Sequence, residues 1–216
     1  MQRFALGARR TSFAARTSLA VSIVFGLFGA LGCSPKRAPA PNPSGPSERF
    51  ALYGGDDNAE QVIVKEYVEI PAAASLQEKL TRLAGALSEK EFSGLPLSVL
   101  RIDERPEGRV AVIAIGESAE NSPLLAQQAR LFDGNRDGEA MALEQRLTGK
   151  LWCRHYFQGS TGGSMTTGSL RTTFLQPEYP GPWIDALEFY YEGAPMDTWD
   201  HVSLDGLILR KAALRE

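Results

Sequence analysis

Cysteine and histidine are scarce in this 216-residue chain, with two of each. A framework of disulfides is therefore excluded, and Cys153 is left alone if Cys33 is otherwise engaged. His155 and His201 cannot by themselves make a zinc site, and no carboxylates at ligand spacing complete one. Long apolar runs are also missing. The longest, residues 19–31 (LAVSIVFGLFGAL), has 13 residues, short for a bilayer core of about 30 Å. No stripe of lysine and arginine is present either. The formal net charge is −3, and residues 1–32 hold four arginines (Arg3, Arg9, Arg10, Arg16) and no acid. The remainder is thus acidic, at about −7, which disfavours nucleic acid as a partner.

What is present is ordinary globular composition, 43% hydrophobic and 23% charged, preceded by an address. A basic start followed by a short apolar run reads as a secretory signal peptide over residues 1–32. Ala30-Leu31-Gly32-Cys33 resembles the lipobox of bacterial lipoproteins. That resemblance implies lipid on the Cys33 sulfur and cleavage just before it. An uncleaved anchor with an incidental cysteine, or ordinary cleavage near Ala30, is the plainer alternative. Residues 34–47 (SPKRAPAPNPSGPS) are rich in Pro, Ser and Ala and offer no core-forming side chain except alanine. They read as a solvated tether over residues 33–48, with a reach of roughly 40 Å. The expected location is the cell envelope, on the periplasmic face of an outer membrane or the outer face of a cytoplasmic membrane.

Beyond the tether the pattern is α+β. Residues 49–52 begin a strand that ends at Gly54-Gly55-Asp56. Residues 62–70 (VIVKEYVEI) alternate apolar and polar and form a second strand, stopped by Pro71. Ser75 and Glu78 make a capping box for a helix over 75–90, with Leu76, Leu80, Leu83 and Leu87 on its core face. Residues 97–103 and 109–115 are strands of a hairpin turned at Arg105-Pro106-Glu107-Gly108. Helical sequence follows over 124–132 and resumes near Met141. The glycine-rich residues 159–168 read as a loop whose glycines take positive φ, with a helix over 169–175. Strands are expected over 183–191 and 202–209. Strands and helices alternate without a strict βαβ rhythm, hence α+β rather than α/β.

The C-terminal third, from Leu170 (LRTTFLQPEYPG) through ALEFYYEGAP to HVSLDGLILR, resembles the end of a GerMN domain. The positions carrying the resemblance are Leu170, Thr173, Gly193, His201, Val202, Leu204, Gly206 and Arg210. It extends over about residues 49–210 of a domain taken as 49–212, with an inserted helical segment at about 118–153. The resemblance implies a compact α+β domain similar to ring-building modules of envelope complexes. Its implied role is non-catalytic assembly or protein–protein binding, with another envelope protein or a second copy as partner. The family's link to sporulation and germination is not carried over.

Several motifs invite chemistry. Asp133-Gly134-Asn135-Arg136-Asp137-Gly138-Glu139, with Glu144 at the twelfth position, matches the EF-hand loop D-x-N-x-D-G-x₅-E. Asp133, Asn135, Asp137, Glu139 and Glu144 are therefore the calcium candidates. The plainer account is a solvated acidic turn between two helices, since Met141 offers no oxygen and no second loop exists. Gly159-Ser160-Thr161-Gly162-Gly163-Ser164 lacks the Gly-Lys-Ser/Thr that completes a phosphate loop. A Ser160–His201–Asp200 triad can be spelled out for a hydrolase, but adjacent His and Asp side chains rarely face each other. No catalytic residue is assigned. Cys153 reads as a buried small hydrophobe. Most aromatics of the C-terminal third should be core, with Phe189 and Tyr190 on opposite faces of their strand.

Overall fold

The computed structural model describes residues 45–210, so the signal segment, Cys33 and most of the tether lie outside the described residues. Strand β1 (Ser47–Gly55) pairs antiparallel with β2 (Val62–Pro71) as a two-stranded sheet. β1 already begins at Ser47, inside the segment assigned to the tether. Its core face sends Phe50 and Leu52 inward, and β2 adds Ile70. One extra residue on β2 near Lys65 breaks the register between Leu52 and Tyr53.

Helix α1 (Leu76–Glu91) starts as its sequence dictates. The Glu78 N–H donates to Ser75 Oγ, and the Ser75 N–H donates to Glu78 at 2.8 Å. Leu80, Leu83 and Leu87 are fully buried, and α1 packs on β1 and on β3 (Leu97–Arg105). β3 turns through Pro106 and Glu107 into β4 (Gly108–Ile115). The chain then leaves the sheet through α2 (Asn121–Asp133), α3 (Asp137–Glu144), a π-helical turn (Trp152–Tyr156) and α4 (Ser160–Leu175). It returns as β5 (Ala186–Tyr191), parallel to β4. Two short antiparallel strands, β6 (Ala194–Pro195) and β7 (Leu207–Leu209), share the far side of β5. Sheet and helices are mixed as α+β, with the core between β1, α1, α4 and one face of the five-stranded sheet.

Three expectations change. Residues 160–168 are helix, not loop: α4 begins nine residues before the predicted start, and of its glycines none has positive φ. The glycines serve proximity instead. A Cβ on Gly163 would lie 2.7 Å from the His201 carbonyl oxygen, so only glycine lets the helix approach that loop. The strand expected over 183–191 starts at Ala186. Trp183 before it is a core anchor, stacked on Phe50 at 4.9 Å with its indole N–H donating to the Phe174 carbonyl. Of residues 202–209, only Leu207–Leu209 pair as a strand, because Val202 instead bridges back to Trp199. No helix among the described residues is long and apolar enough to cross a membrane.

Candidate functional site

The two edges of the β1–β2 hairpin are treated differently. On the β1 side, Gln176 at the C-terminal end of α4 mimics a neighbouring strand. Its side-chain oxygen accepts from the Ala51 N–H at 3.1 Å, and its amide nitrogen donates to the Ala51 carbonyl at 2.7 Å. Thr173 Oγ1 accepts from the Tyr53 N–H at 3.0 Å. Since Ala51 and Tyr53 point away from β2, their register partners Tyr67 and Val64 must point away from β1. Among the described residues, no backbone group pairs with that outer edge of β2.

The same strand exposes apolar side chains. Tyr67 is 52% exposed, and Ile63 and Val64 are also exposed. Arg49 lies over the Tyr67 ring, 4.2 Å from its centre, a cation–π contact. A shallow cleft of about 170 Å³ runs along this face, lined by Arg49, Tyr53, Val64, Tyr67, Gln176 and Tyr179. Burial, reinforced by Glu178, raises the Tyr53 hydroxyl above the usual phenol range. Burial also raises Tyr179, helped by its hydrogen bond to Glu48. Both phenols stay neutral, and the face is an amphipathic one with apolar rings and hydroxyl tips, the composition favoured at protein interfaces.

A second polar cluster is buried at the start of the π-helical turn. Glu117, 4% exposed, accepts from the Trp152 N–H and the Cys153 N–H, each at 3.1 Å, and from the Tyr191 hydroxyl at 2.7 Å. The carboxylate thereby satisfies the first free N–H groups of the turn, where negative charge is favoured. Burial pushes the Cys153 thiol from near 9 up to about 12, with Glu117 adding to the effect. Burial likewise pushes Tyr191 strongly upward, with Cys153 and Glu117 adding to it. Cys153 is thus a protonated thiol at neutral pH, which is unreactive as a nucleophile. The arrangement is a cap, joining the turn to β5. The indole nitrogen of Trp152 is buried with no hydrogen-bond partner among the described residues.

The EF-hand pattern does not fold as a calcium loop. Asp133 ends α2, Asn135 takes positive φ in a three-residue link, and Asp137, Glu139 and Glu144 lie along α3. Glu139 ion-pairs with Arg136, and Glu144 with Arg154 at 3.0 Å. A helix from Asp137 places these oxygens around its axis instead of wrapping them round one point. Among the described residues no group of three or more His, Cys, Asp or Glu side chains converges to hold a metal.

The residues carrying the GerMN resemblance have structural duties. Leu170 and Thr173 are buried on α4. Gly193, with Glu192, supplies the positive φ of a two-residue turn between β5 and β6, the mirror-image type that hairpins favour. His201 has positive φ and sits in the turn closed by the Val202 N–H to the Trp199 carbonyl. Val202 and Leu204 are core, and Gly206 turns the chain into β7. Arg210 donates to the carbonyls of Gln176 and Tyr179, at 2.8 and 2.7 Å, closing the C-terminal end of α4. Ser160 opens α4. The His201 contact with that helix is made by its backbone at Gly163, and no hydrogen bond joins Ser160, His201 and Asp200.

Compared with family models, curated proteins and solved structures, the chain gives no significant match. Sequence reasoning missed Glu117, Gln176 and the open edge of β2. For β2 a signal existed: VIVKEYVEI places valine, isoleucine and tyrosine on both sides of the alternation, more than one buried face needs. Glu117 and Gln176 carried none, because their partners lie 35 and 125 residues away in the chain.

Proposed function

We propose that this chain is a cell-envelope lipoprotein, held outside the cytoplasm by lipid on Cys33, whose GerMN-like α+β domain binds protein partners and performs no catalysis. The open β2 edge, with Ile63, Val64 and Tyr67 exposed beside it, carries the binding half of this reading. An unpaired strand edge with apolar side chains is a template for another chain. Residues 1–47 carry the anchoring half: a basic start, a 13-residue apolar run, the Ala-Leu-Gly-Cys sequence ending at Cys33, and a Pro-rich tether. Two or three acyl chains hold firmly at about 0.8 kcal/mol per buried methylene.

Cross-linking in living cells, followed by affinity purification, tests both halves against Cys33→Ala. The expected result is membrane fractionation of the parent chain with a defined set of envelope proteins, both lost in the variant. Recovery of the chain in the soluble fraction whether or not Cys33 is present would overturn the anchor. Anchored chain with no enriched protein would overturn the binding role.

A further inference from the structure

We propose that the cleft on the outer face of the β1–β2 hairpin binds the chain's own proline-rich segment, residues 34–44, folded back with Lys36 and Arg37 against Glu178. The cleft is chemically incomplete by itself. Tyr53 lines it and is only 7% exposed, yet its hydroxyl has no hydrogen-bond partner among the described residues. A phenol buried to that extent normally finds one. Tyr67 and Tyr179 lie beside it with Val64 and Pro180, so the surface offers ring faces and a free O–H donor. Its charge is unbalanced as well. Arg49 pairs with Glu69 at 3.4 Å and Lys79 with Glu48 at 2.6 Å. Glu178, exposed on the rim, has no ion pair among the described residues.

Residues 34–44 supply the complement. Pro35, Pro39, Pro41 and Pro43 favour the extended polyproline form, whose carbonyls are free of internal hydrogen bonds. Such segments dock on aromatic surfaces at little entropic cost, because their form is preset. Lys36 and Arg37 are the charged residues of the segment, and no acid accompanies them. Position favours a match within one chain. The Pro46 carbonyl accepts from the Ala72 N–H at 2.8 Å, and Ser47 Oγ donates to Glu69 at 2.6 Å. The segment therefore joins the fold at the Arg49–Glu69 end of the cleft. Gly45 is exposed there, with open space around it for a reversal of the chain. From Gly45 back to Lys36 is about 28 Å at roughly 3.1 Å per residue. The strand from Arg49 to Tyr53 needs only about 13 Å. Covalent connection gives the segment an effective concentration of about millimolar, so modest contacts suffice. The docking does not require lipid. Where Cys33 carries it, as proposed above, a docked segment draws the domain toward the membrane.

The test is carbodiimide coupling of the purified full-length chain, which joins a lysine amine to a carboxylate in contact with it, followed by peptide mass spectrometry. The expected product is an amide between Lys36 and Glu178, in preference to the exposed acids Asp57 and Glu69. A mixture of isotope-labelled and unlabelled copies shows whether both ends of a link come from one chain, as expected. Tyr67→Ala, at an exposed position, should lower the yield about fivefold by removing an aromatic contact. Pro39→Ser combined with Pro41→Ser should lower it too, and these positions precede the folded domain. A segment meeting Glu178 by chance collision would couple equally well without its prolines. The proposal is overturned if Lys36 couples evenly across the surface acids, or if either set of changes leaves the yield intact. Links of mixed label would place a second copy in the cleft and overturn it. Coupling of Glu178 in cells to a lysine of another protein, with Lys36 left free, would overturn it in favour of that partner. None of these results depends on Cys33, so failure here is distinct from loss of the anchor or of the envelope partners.

Discussion

Gln176 shows how much can rest on one polar side chain. Its amide completes the hydrogen bonding of Ala51, its carbonyl accepts from Arg210, and its backbone adopts positive φ at the end of α4. Gln176→Ala would leave the buried N–H and C=O of Ala51 without partners. A loss of about 2–4 kcal/mol follows, taking 1–3 kcal/mol for each unsatisfied group with some relaxation, measurable by urea denaturation. Cys153 makes a statement about pH. Its thiol titrates near 9 when unfolded and at about 12 when folded, so above pH 9 the unfolded chain releases a proton that the folded chain retains. Stability is full below pH 9 and falls as pH rises toward 12. Tyr191 shifts in the same direction and adds to the fall. Replacing the thiol by Cys153→Ala should flatten the decline in melting temperature between pH 9 and about pH 12, the interval between the unfolded and folded values. An equally steep decline would show that the thiol does not titrate as described.

Among the elements, α1 and α4 form for different reasons. α1 has a capping box, a leucine stripe and a charged outer face, all local features that agree with one another. α4 (STGGSMTTGSLRTTFL) has three glycines and eight hydroxyl residues in its 16, a composition that local propensity places outside a helix. Contact with β1, the loop at His201 and β2 supplies what propensity withholds. Gly163→Ala should therefore destabilise, although alanine is the better helix former by about 1 kcal/mol. Its Cβ would meet the His201 carbonyl at 2.7 Å and Val202 at 3.1 Å, and such overpacking costs about 1–3 kcal/mol. A rise in melting temperature for this variant would show that the loop yields freely. β3 to β5 are secured differently again. Arg105 bridges Asp103 and Glu188 across the sheet at 2.9 and 2.8 Å, and its hydrogen bond holds the Glu188 carboxyl below the usual range.

At the scale of the whole molecule, the long excursion between β4 and β5 separates two uses of acidic sequence. Glu117, at its start, turns inward and caps the π-helical turn. The acids of residues 133–144 stay on the surface of the α2–α3 pair, where Glu139 engages Arg136 and Glu144 engages Arg154. Adding calcium should leave the melting temperature unchanged. A bound ion at a hundred times its Kd would stabilise by about 2.7 kcal/mol, a shift of several degrees in a scan, and a shift of that size would refute the helical account of this segment.

The sequence by itself determined the elements whose causes are local. The capping box at Ser75, the leucine stripe of α1, the turn at Pro106 and the alternation of β2 are each complete within a dozen residues, and each forms where its pattern lies. The division of Phe189 and Tyr190 between the faces of β5 was equally legible, since strand periodicity alone sets it. Tertiary structure decided the rest. Residues 160–168 become helix only because β1 and the loop at His201 are there to pack against. Residues 133–144 spell a calcium loop, yet they fold as the end of α2, a short link and α3, with Glu139 and Glu144 paired to Arg136 and Arg154. Val202 forsakes a long strand for a bridge to Trp199. Which edge of the β1–β2 hairpin is closed depends on Gln176, 125 residues from Ala51. Pairings at that distance leave no periodicity in the chain, because side-chain patterning records which face is buried and not which residue covers it.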